Sequence, residues 1–325
     1  MSKNIKIGDK TYYNVSEISC VDADDENGGG VAVFVDEHYK TLVSQLFDGT
    51  ITHLTKDDFN VSKIRAFMCY EVPYLESIEF PDTVEEIGDH CFYNAYKLKK
   101  VVLPKNLKKV GISTMGNTSY KQIYIPKTLK EYCELPYSYM RFIINEYDTI
   151  YLNNEPLPKN LIIPDGTTSI CDSAFKQQKI TTLSIPNSVK EIKDAAFSNC
   201  SGFKDLIIPD SVVTLGTRAF FNILDIKSLV VGNGVEIIPI ECFASSTYTN
   251  IDIGKNVKEI KAFAFEYCSK IQTIKMRPTT PPVISSKIFS TTSLVKIIVP
   301  KGSLEAYKTA TNWSSLADYM EEATE

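Results

Sequence analysis

The stretch SIPNSVKEIKDAAFSNCSGFKDLIIPDSVVTLGTRAFF, residues 184–221, contains one pattern twice: Ile-Pro, aliphatic residues three and six positions after the proline, and then Ala-Phe. Positions equivalent to this proline recur along most of the chain, at Pro81, Pro104, Pro126, Pro164, Pro186, Pro209, Gly232, Gly254, Arg277 and Pro300. Their separations are 23, 22, 38, 22, 23, 23, 22, 23 and 23 residues. A fixed period of this length is the signature of a solenoid, so the sequence predicts about ten coils of 22–23 residues.

The apolar residues keep constant offsets within each period. In the coil around Pro209 they are Phe203, Leu206, Ile208, Val212, Leu215 and Phe220. The run Leu183-Ser184-Ile185 alternates as a strand does, and the proline that follows ends strand pairing. One coil is too short to bury its own apolar face, so neighbouring coils must cover each other. The predicted fold class is therefore mainly β, a solenoid with these columns as its core.

The pattern LxxIxIPxxVxxIxxxAFxxC resembles the BspA-like leucine-rich repeats of bacterial surface proteins, over roughly residues 60–310. The resemblance implies a leucine-rich-repeat solenoid that recognises a partner and carries out no reaction. Departures from the pattern occur at three proline positions, Gly232, Gly254 and Arg277, and at Cys69, which stands where phenylalanine is expected. The coil after Arg277 is also rewritten, as PTTPPVISSKIF.

One step of 38 residues interrupts the period and predicts an insertion at about residues 137–160. Two extended runs flank Asn153-Asn154, a pair that favours a hairpin turn. The insertion is rich in aromatic residues, namely Tyr137, Tyr139, Phe142 and Tyr147. Two interpretations stay open: an aromatic platform for a sugar or a peptide, or a hairpin that packs its rings onto the solenoid.

Both ends of a solenoid need a cover, because an open end exposes core. At the C-terminus, residues 303–325 place Leu304, Tyr307, Trp313 and Leu316 at spacings that suit helical segments, and this predicts a helical cap with Trp313 as a packing residue. This segment resembles the closing cap of the same family.

The N-terminal segment, residues 1–50, lacks the repeat columns. It predicts a hairpin at Gly8-Asp9, an acidic glycine-rich turn, and a strand over 31–35. These features resemble the short β-rich segments that begin some bacteriophage head and tail appendage proteins. The predicted organisation is an attachment module (1–50), a solenoid (51–302) and a cap (303–325).

Composition restricts the class of protein. Apolar residues make up 43% of the chain and charged residues 23%, the net charge is −5, and no apolar run is long enough to span a bilayer. The acidity and the absence of a basic stripe argue against a nucleic-acid partner. MSKNIKIGDK has no apolar segment after it, so either the protein is a virion component released by lysis, or a signal peptide has been removed and the protein is secreted or surface-bound.

The eight cysteines mostly occupy repeat columns that require a small apolar side chain, which indicates reduced thiols. Cys133 and Cys171 both lie seven residues after their prolines, in coils that become neighbours if the insertion loops out. Stacked thiols and a disulfide are both compatible with that placement.

The sequence lacks the motifs of catalytic and metal centres. It contains no CxxC, HExxH, GxSxG or phosphate-binding loop, and the histidines His38, His53 and His90 are scattered. It predicts no catalytic residue, no metal site, no cofactor and no enzymatic activity.

Recognition is predicted on the strand residues that point away from the core, two positions before each proline equivalent. Six of these ten are apolar and form what we call the outward stripe: Val102, Tyr124, Ile162, Ile207, Val230 and Ile298. An exposed column of apolar residues indicates a binding surface. The alternative is that β-branched residues are present there only because they favour the strand conformation. The neighbouring column is polar, comprising Ser77, Lys100, Gln122, Thr182, Asp205, Ser228, Asn250, Thr273 and Lys296.

An apolar stripe with polar neighbours and a rim that includes Tyr137, Tyr139 and Tyr147 favours a protein partner or self-association over a glycan. The primary hypothesis is a phage virion appendage that displays a repeat surface to other virion proteins or to the host surface. The alternative is a bacterial cell-surface adhesin that binds host protein or glycan.

Overall fold

The computed structural model describes residues 45–46, 48–58, 61–64, 66, 69–118, 122–136, 149–285, 288–289 and 293–324, together with the backbone of four short strands within residues 1–44. Two compact units are present. The first comprises residues 1–128 and 136–157, and the second comprises residues 129–135 and 158–325. The boundaries predicted after residues 50 and 302 stay a prediction.

The first unit is built from strands. In chain order they are β1 (Ile5–Ile7), β2 (Lys10–Tyr12), β3 (Ser19–Val21), β4 (Val31–Val33), β5 (His53–Leu54), β6 (Lys63–Ile64), β7 (Ser77–Glu79), β8 (Glu86–Ile87), β9 (Lys100–Val102), β10 (Lys109–Val110), β11 (Gln122–Ile125), β12 (Thr149–Leu152) and β13 (Glu155–Pro156). The front sheet has the order β13-β12-β11-β9-β7-β5, and the rear sheet has the order β10-β8-β6. The N-terminal strands form two antiparallel pairs, β1 with β2 and β3 with β4, and the first pair flanks the predicted turn at Gly8-Asp9.

The second unit repeats the same plan and ends in short helices. Its elements are α1 (Leu129–Cys133), β14 (Asn160–Ile162), β15 (Ser169–Ile170), β16 (Lys179–Ile180), β17 (Thr182–Ser184), β18 (Glu191–Ile192), β19 (Ser201–Gly202), β20 (Asp205–Ile208), β21 (Thr214–Leu215), β22 (Ser228–Val231), β23 (Ile237–Ile238), β24 (Asn250–Ile253), β25 (Glu259–Ile260), β26 (Thr273–Met276), β27 (Val283–Ile284), β28 (Lys296–Val299), α2 (Leu304–Thr309), a 3₁₀ helix (Ser314–Tyr319) and β29 (Met320–Glu322). The front strands pair as β14-β17 and as β20-β22-β24-β26-β28-β29. The rear strands pair as β15-β18-β21 and as β23-β25-β27. No helix among the described residues is long and apolar enough to cross a membrane.

The coil-by-coil parallel pairing confirms the predicted β-solenoid. Across the described residues, eleven front strands follow one another at about the repeat period, except for the 38-residue step from β11 to β14: β5, β7, β9, β11, β14, β17, β20, β22, β24, β26 and β28. The strand beyond the ten predicted ones is β5, where His53 pairs with Ser77 although no Ile-Pro follows it. Proline therefore marks the end of a front strand without being required for one.

The core follows the predicted columns. Along β20, Leu206 and Ile208 are buried while Asp205 and Ile207 are exposed, as alternation on a strand requires. Behind the strands, the phenylalanines of the Ala-Phe steps stack, with ring centroids 5.1 Å apart for Phe197 and Phe220 and 5.7 Å apart for Phe220 and Phe243. The stack extends to Phe175 on one side and through Phe265 to Phe289 on the other. This aromatic ladder confirms the predicted register of the repeat.

The corner that carries each phenylalanine turns through left-handed residues. Asn199 and Asn222 have φ of 59° and 55°, a conformation that asparagine tolerates better than most residues. Their side chains also join neighbouring coils, because Asn222 Nδ2 donates to Asn199 Oδ1 over 2.7 Å. The turn and the coil-to-coil contact are thus made by the same residue type.

The insertion contains the predicted hairpin. Asn153 and Asn154 have φ of 47° and 69° and connect β12 to β13, which pair antiparallel. A feature that the sequence did not predict is that β12 also pairs in parallel with β11, so that it lengthens the front sheet. In the second unit, the Cys171 amide donates to the Cys133 carbonyl over 2.7 Å, and both thiols are free and buried. The two cysteines are neighbours, and of the two alternatives the structure has the stacked thiols.

The C-terminal segment covers the last coil as predicted. Trp313 is fully buried, its Nε1 donates to the Pro282 carbonyl over 2.8 Å, and its ring meets that of Tyr307 edge-on. Strand β29, which the sequence did not predict, pairs in parallel with β28.

Candidate binding face

The front sheet of each unit presents two columns of side chains away from the core. In the second unit, Ile207 pairs with Val230 in the column of the outward stripe, and Asp205 pairs with Ser228 in the polar column. The structure therefore places these residues in the predicted columns.

Ile207 and Val230 are the two members of the outward stripe that the ladder brings side by side in the second unit. Ile207 has 64% of its surface exposed, and Val230 is half-buried. Ile162 is equally open, at 66%, but its strand pairs with β17, where Ser184 is its neighbour. Ile298 is half-buried and is separated from Val230 by Asp252 and Lys275 along the ladder. In the second unit the stripe is thus an apolar centre at Ile207 and Val230, with Ile162 and Ile298 as isolated apolar residues.

Polar groups border this centre on two sides. On one side, Ser228 Oγ donates to Asp205 Oδ1 over 2.5 Å. On the other, Arg277 makes two hydrogen bonds to Asp252, of 2.7 Å from Nε and 2.6 Å from an Nη nitrogen. These hydrogen bonds raise the pKa of the Arg277 guanidinium. The two hydrogen bonds from Arg277 hold the Asp252 carboxylate in one orientation beside Val230. The apolar centre therefore has an ordered polar rim.

In the first unit, Tyr124 of the outward stripe stacks on a tyrosine outside the stripe, Tyr151. Val102 pairs with Tyr124, and Tyr124 pairs with Tyr151. The two rings lie 4.2 Å apart and within 7° of parallel, while Lys100 Nζ lies 4.8 Å from the centroid of the Tyr124 ring. Desolvation, followed by the neighbouring Tyr151, raises the pKa of the Tyr124 phenol. The ring of Tyr124 thus has two close partners, one tyrosine ring and one ammonium group.

Tyr151 was missed by sequence reasoning, because residues 149–152 were interpreted only as one arm of a hairpin. The signal that was present is the match of IYL at 150–152 with IYI at 123–125. Three predicted site residues, Tyr137, Tyr139 and Tyr147, lie outside the described residues.

The buried thiols form no site. Burial raises the pKa of the Cys171 thiol to about 12, and burial raises those of Cys133, Cys200 and Cys242 further. Such thiols are poor nucleophiles and poor ligands at neutral pH. Within the part of the chain that the structure describes, no group of three or more histidine, cysteine, aspartate or glutamate residues is placed to hold a metal ion.

Comparison with protein-family models finds a match to the BspA type leucine rich repeat region, in six copies that cover residues 33–143, 151–249 and 193–317. A search of curated proteins finds no match.

Several solved structures resemble the chain. A leucine rich cell surface protein from Faecalibacterium prausnitzii A2-165 is 22% identical, with 78% of this chain and 86% of that chain covered and a TM-score of 0.42. A leucine-rich repeat protein from Eubacterium ventriosum is 16% identical, with coverages of 77% and 83% and a TM-score of 0.46. A leucine-rich repeat protein from Bacteroides ovatus is 19% identical, with coverages of 99% and 90% and a TM-score of 0.40.

Proposed function

Because the chain belongs to the BspA-type leucine-rich-repeat family, we propose that it is a non-enzymatic recognition protein whose front face in the second unit binds a protein partner. The observation that carries the proposal is the pair of Ile207 and Val230, which the ladder holds side by side in an outward column. Removing one aliphatic side chain of this size from water contributes roughly 1.5–3 kcal/mol. A partner that covers the pair gains the part of that free energy that belongs to the still exposed surface, most of it at Ile207 because Val230 is already half-buried.

The surroundings of the pair favour a protein over a glycan. Protein interfaces combine an apolar centre with a polar rim, and here the rim consists of Asp205 with Ser228 and Asp252 with Arg277. A sugar, by contrast, stacks on the open face of an aromatic ring. In the first unit Tyr124 has one face against Tyr151, and Lys100 lies over the ring as well. This pair therefore offers a sugar little free aromatic surface.

The test is the double substitution Ile207→Lys with Val230→Lys. Both side chains point away from the core, so the melting temperature of the double variant is expected to stay within a few degrees of that of the parent protein. Binding to the partner, or self-association measured by size-exclusion chromatography with light scattering, is expected to be lost. The matched control is Val283→Lys on the rear strand β27, where the side chain is 71% exposed. Unchanged binding and assembly in the double variant would contradict the proposal and would mean that the apolar residues of the outward stripe reflect only the preference of β-branched residues for strands.

Two settings are proposed for this recognition. A virion appendage is supported by the resemblance of the N-terminal segment to those of phage head and tail proteins. A cell-surface adhesin is supported by membership of the BspA-type family. Mass spectrometry separates them: the virion setting requires the chain in purified phage particles, and the adhesin setting requires it in the surface fraction of uninfected cells.

A further inference from the structure

The front ladder of the second unit is interrupted at one step. Strand β17 pairs with β14, and β20 pairs with β22, but β17 and β20 do not pair with each other. The same two coils remain paired elsewhere: β18 with β21 on the rear, and β16 with β19 just before the front strands. At Gly202 of β19 (φ 110°), an added Cβ would lie 2.5 Å from the Ile180 carbonyl oxygen, which shows how closely those strands approach. We call the opening between β17 and β20 the front slot.

Specific hydrogen bonds are missing at the front slot. On one side the Thr181 amide donates to Lys159 O, and on the other the Lys227 amide donates to Lys204 O, each over 2.7 Å. Within residues 149–285, all of which the structure describes, the equivalent bond from the Lys204 amide to Thr181 O is not formed. Likewise, the Ile163 amide donates to Ser184 O, but the Ile185 amide does not donate to Ile207 O.

The orientation of the missing bonds follows from the bonds that are made. Backbone groups of alternate residues in a parallel sheet point to opposite neighbours. Ser184 O points to β14 and Lys204 O points to β22, so the N–H and C=O of Leu183 and of Ile207 point into the slot. The two walls therefore present backbone donors and acceptors at strand spacing.

The floor of the slot is apolar and open. Leu183 and Ile185 occupy core columns but are only half-buried. Their equivalents in the strands on either side are buried, namely Leu161, Ile163, Leu206 and Ile208. Phe203 also lines the slot, beside Leu183 and Ile185. The opening has a volume of about 490 Å³, the size of a ligand pocket.

Local covalent chemistry does not force this opening. The rear ladder is also interrupted, between β21 and β23. There Pro239 has no N–H to donate, which accounts for one of the two missing bonds, the other being from the Glu236 amide to Val213 O, and Leu215 stays buried. Residues 181–185 and 204–208 contain one proline-free strand each, so every amide needed for pairing is present. A site that departs from a pattern that its sequence permits is typical of function.

We propose that the front slot binds an extended peptide segment of a protein partner. The peptide backbone pairs with the free N–H and C=O groups of Leu183 and Ile207, and one apolar side chain of the peptide enters between Leu183, Ile185 and Phe203. This is strand addition within a sheet, in which main-chain bonds give affinity and the floor gives specificity. A strand between two others needs walls about 9.6 Å apart, twice the strand spacing. Binding therefore has to widen the slot about the rear pair β18-β21 and to separate the short pair β16-β19. The inference rests on the proposed function in that the partner is a protein, and it names the chemistry of the segment bound.

The first test needs no ligand. In the free protein, the amides of Leu183, Ile185 and Ile207 are expected to exchange with deuterium at least tenfold faster than those of Leu206 and Leu229, as read by mass spectrometry with fragmentation. Equal protection would mean that the ladder is closed in solution, and the proposal would fall.

The second test uses a displayed library of random twelve-residue peptides, selected against the whole chain. Selected peptides are expected to protect the Leu183 and Ile207 amides from exchange and to lose binding in the Leu183→Lys variant. A lack of enriched peptides, or peptides that bind without protecting these amides, overturns the proposal.

A pair of variants measures the contribution of the backbone to peptide binding without placing a charged side chain in the slot. Ile207→Pro removes one slot-facing N–H that makes no internal bond, whereas Ile207→Ala shortens the same side chain and keeps that N–H. The proline variant is expected to bind the peptides about tenfold more weakly than the alanine variant, the loss typical of one hydrogen bond. Equal affinities would show that the backbone does not pair. These tests use selected peptides, so they are independent of the proposed function. If the peptides fail but Val230→Lys abolishes binding of the natural partner, only the slot proposal is wrong. If the peptides bind as expected but Val230→Lys leaves that binding unchanged, only the proposed binding face is wrong.

Discussion

The coil around Pro209 contacts the coil before it very differently at two places. At the aromatic ladder, Phe197 and Phe220 stack with centroids 5.1 Å apart and planes within 4°. At the front, strands β17 and β20 of the same two coils do not pair. A coil-to-coil contact is therefore divided into parts with separate roles. The ladder supplies burial, and the front sheet can depart from regularity because stability does not depend on it alone.

The largest expected effect is alkaline destabilisation, which acts on the ladder side. The Cys200 and Cys268 thiols donate to the carbonyls of Phe175 and Phe243, and burial raises the pKa values of five thiols in the second unit. Since these pKa values lie above the unfolded value of 9.0, the stabilisation is complete below pH 9 and is lost as the pH rises above it. One pH unit above 9, each thiol costs about 1.4 kcal/mol, hence roughly 7 kcal/mol for the five thiols.

Denaturant titrations at pH 7, 8, 9 and 10 measure this loss. Replacing Cys200 by Ala is expected to lessen the fall between pH 8 and pH 10 by about one thiol's share, which identifies buried thiols as its source. A free energy of unfolding that stays flat to pH 10 would contradict the buried, neutral state of these groups.

The next effect is the loss of one ring from the ladder. Phe220→Ala removes a fully buried side chain that stacks on Phe197 and Phe243, and it is expected to lower the free energy of unfolding by about 3–5 kcal/mol. Calorimetry or denaturant unfolding of the variant checks this. Coincident curves for variant and parent would show that the ring is not part of the core.

A smaller effect compares two leucines in the same repeat column. Leu206 is 1% exposed and Leu183 is half-buried at the front slot. Leu206→Ala is expected to cost about 2–5 kcal/mol, and Leu183→Ala about 1 kcal/mol, because a side chain that already meets water loses less burial. Paired denaturant titrations give the difference directly. Equal costs would mean that the slot is closed in solution.

The sequence predicted the parts of the fold that depend on one coil at a time. Period, core columns, the turn at Asn153-Asn154 and the packing role of Trp313 all follow from local composition and spacing. The placement of β12 beside β11 and the pairing of β29 with β28 do not, because each is a long-range choice of partner strand. Tyr151 was missed for that reason.

The front slot was beyond prediction for a related reason. Leu183 and Ile185 obey the same pattern as every other coil, so nothing in their identity marks them as exposed. One irregularity does occur nearby: the proline equivalent lies eleven residues after Phe175 but twelve after Phe197. The same difference separates the coils of Phe220 and Phe243, whose strands β22 and β24 pair normally. The alternation of side chains along each strand located the outward stripe. The missing pairing between β17 and β20 could be seen only in the hydrogen bonds between strands.

The direction of the ladder bonds has a mechanical consequence. In the second unit the inter-strand hydrogen bonds run from coil to coil, so a pulling force along the stack loads successive coil contacts in series rather than in parallel. Under such a load the contact with the fewest bonds extends first. Between the coils of β17 and β20, the rear pair, the short β16-β19 pair and the backbone hydrogen bonds around the aromatic corner carry the tension. A stretched molecule is therefore expected to open first at one of its two interrupted contacts, the front slot or the rear gap between β21 and β23. A peptide seated in the front slot would raise the force at which that contact yields.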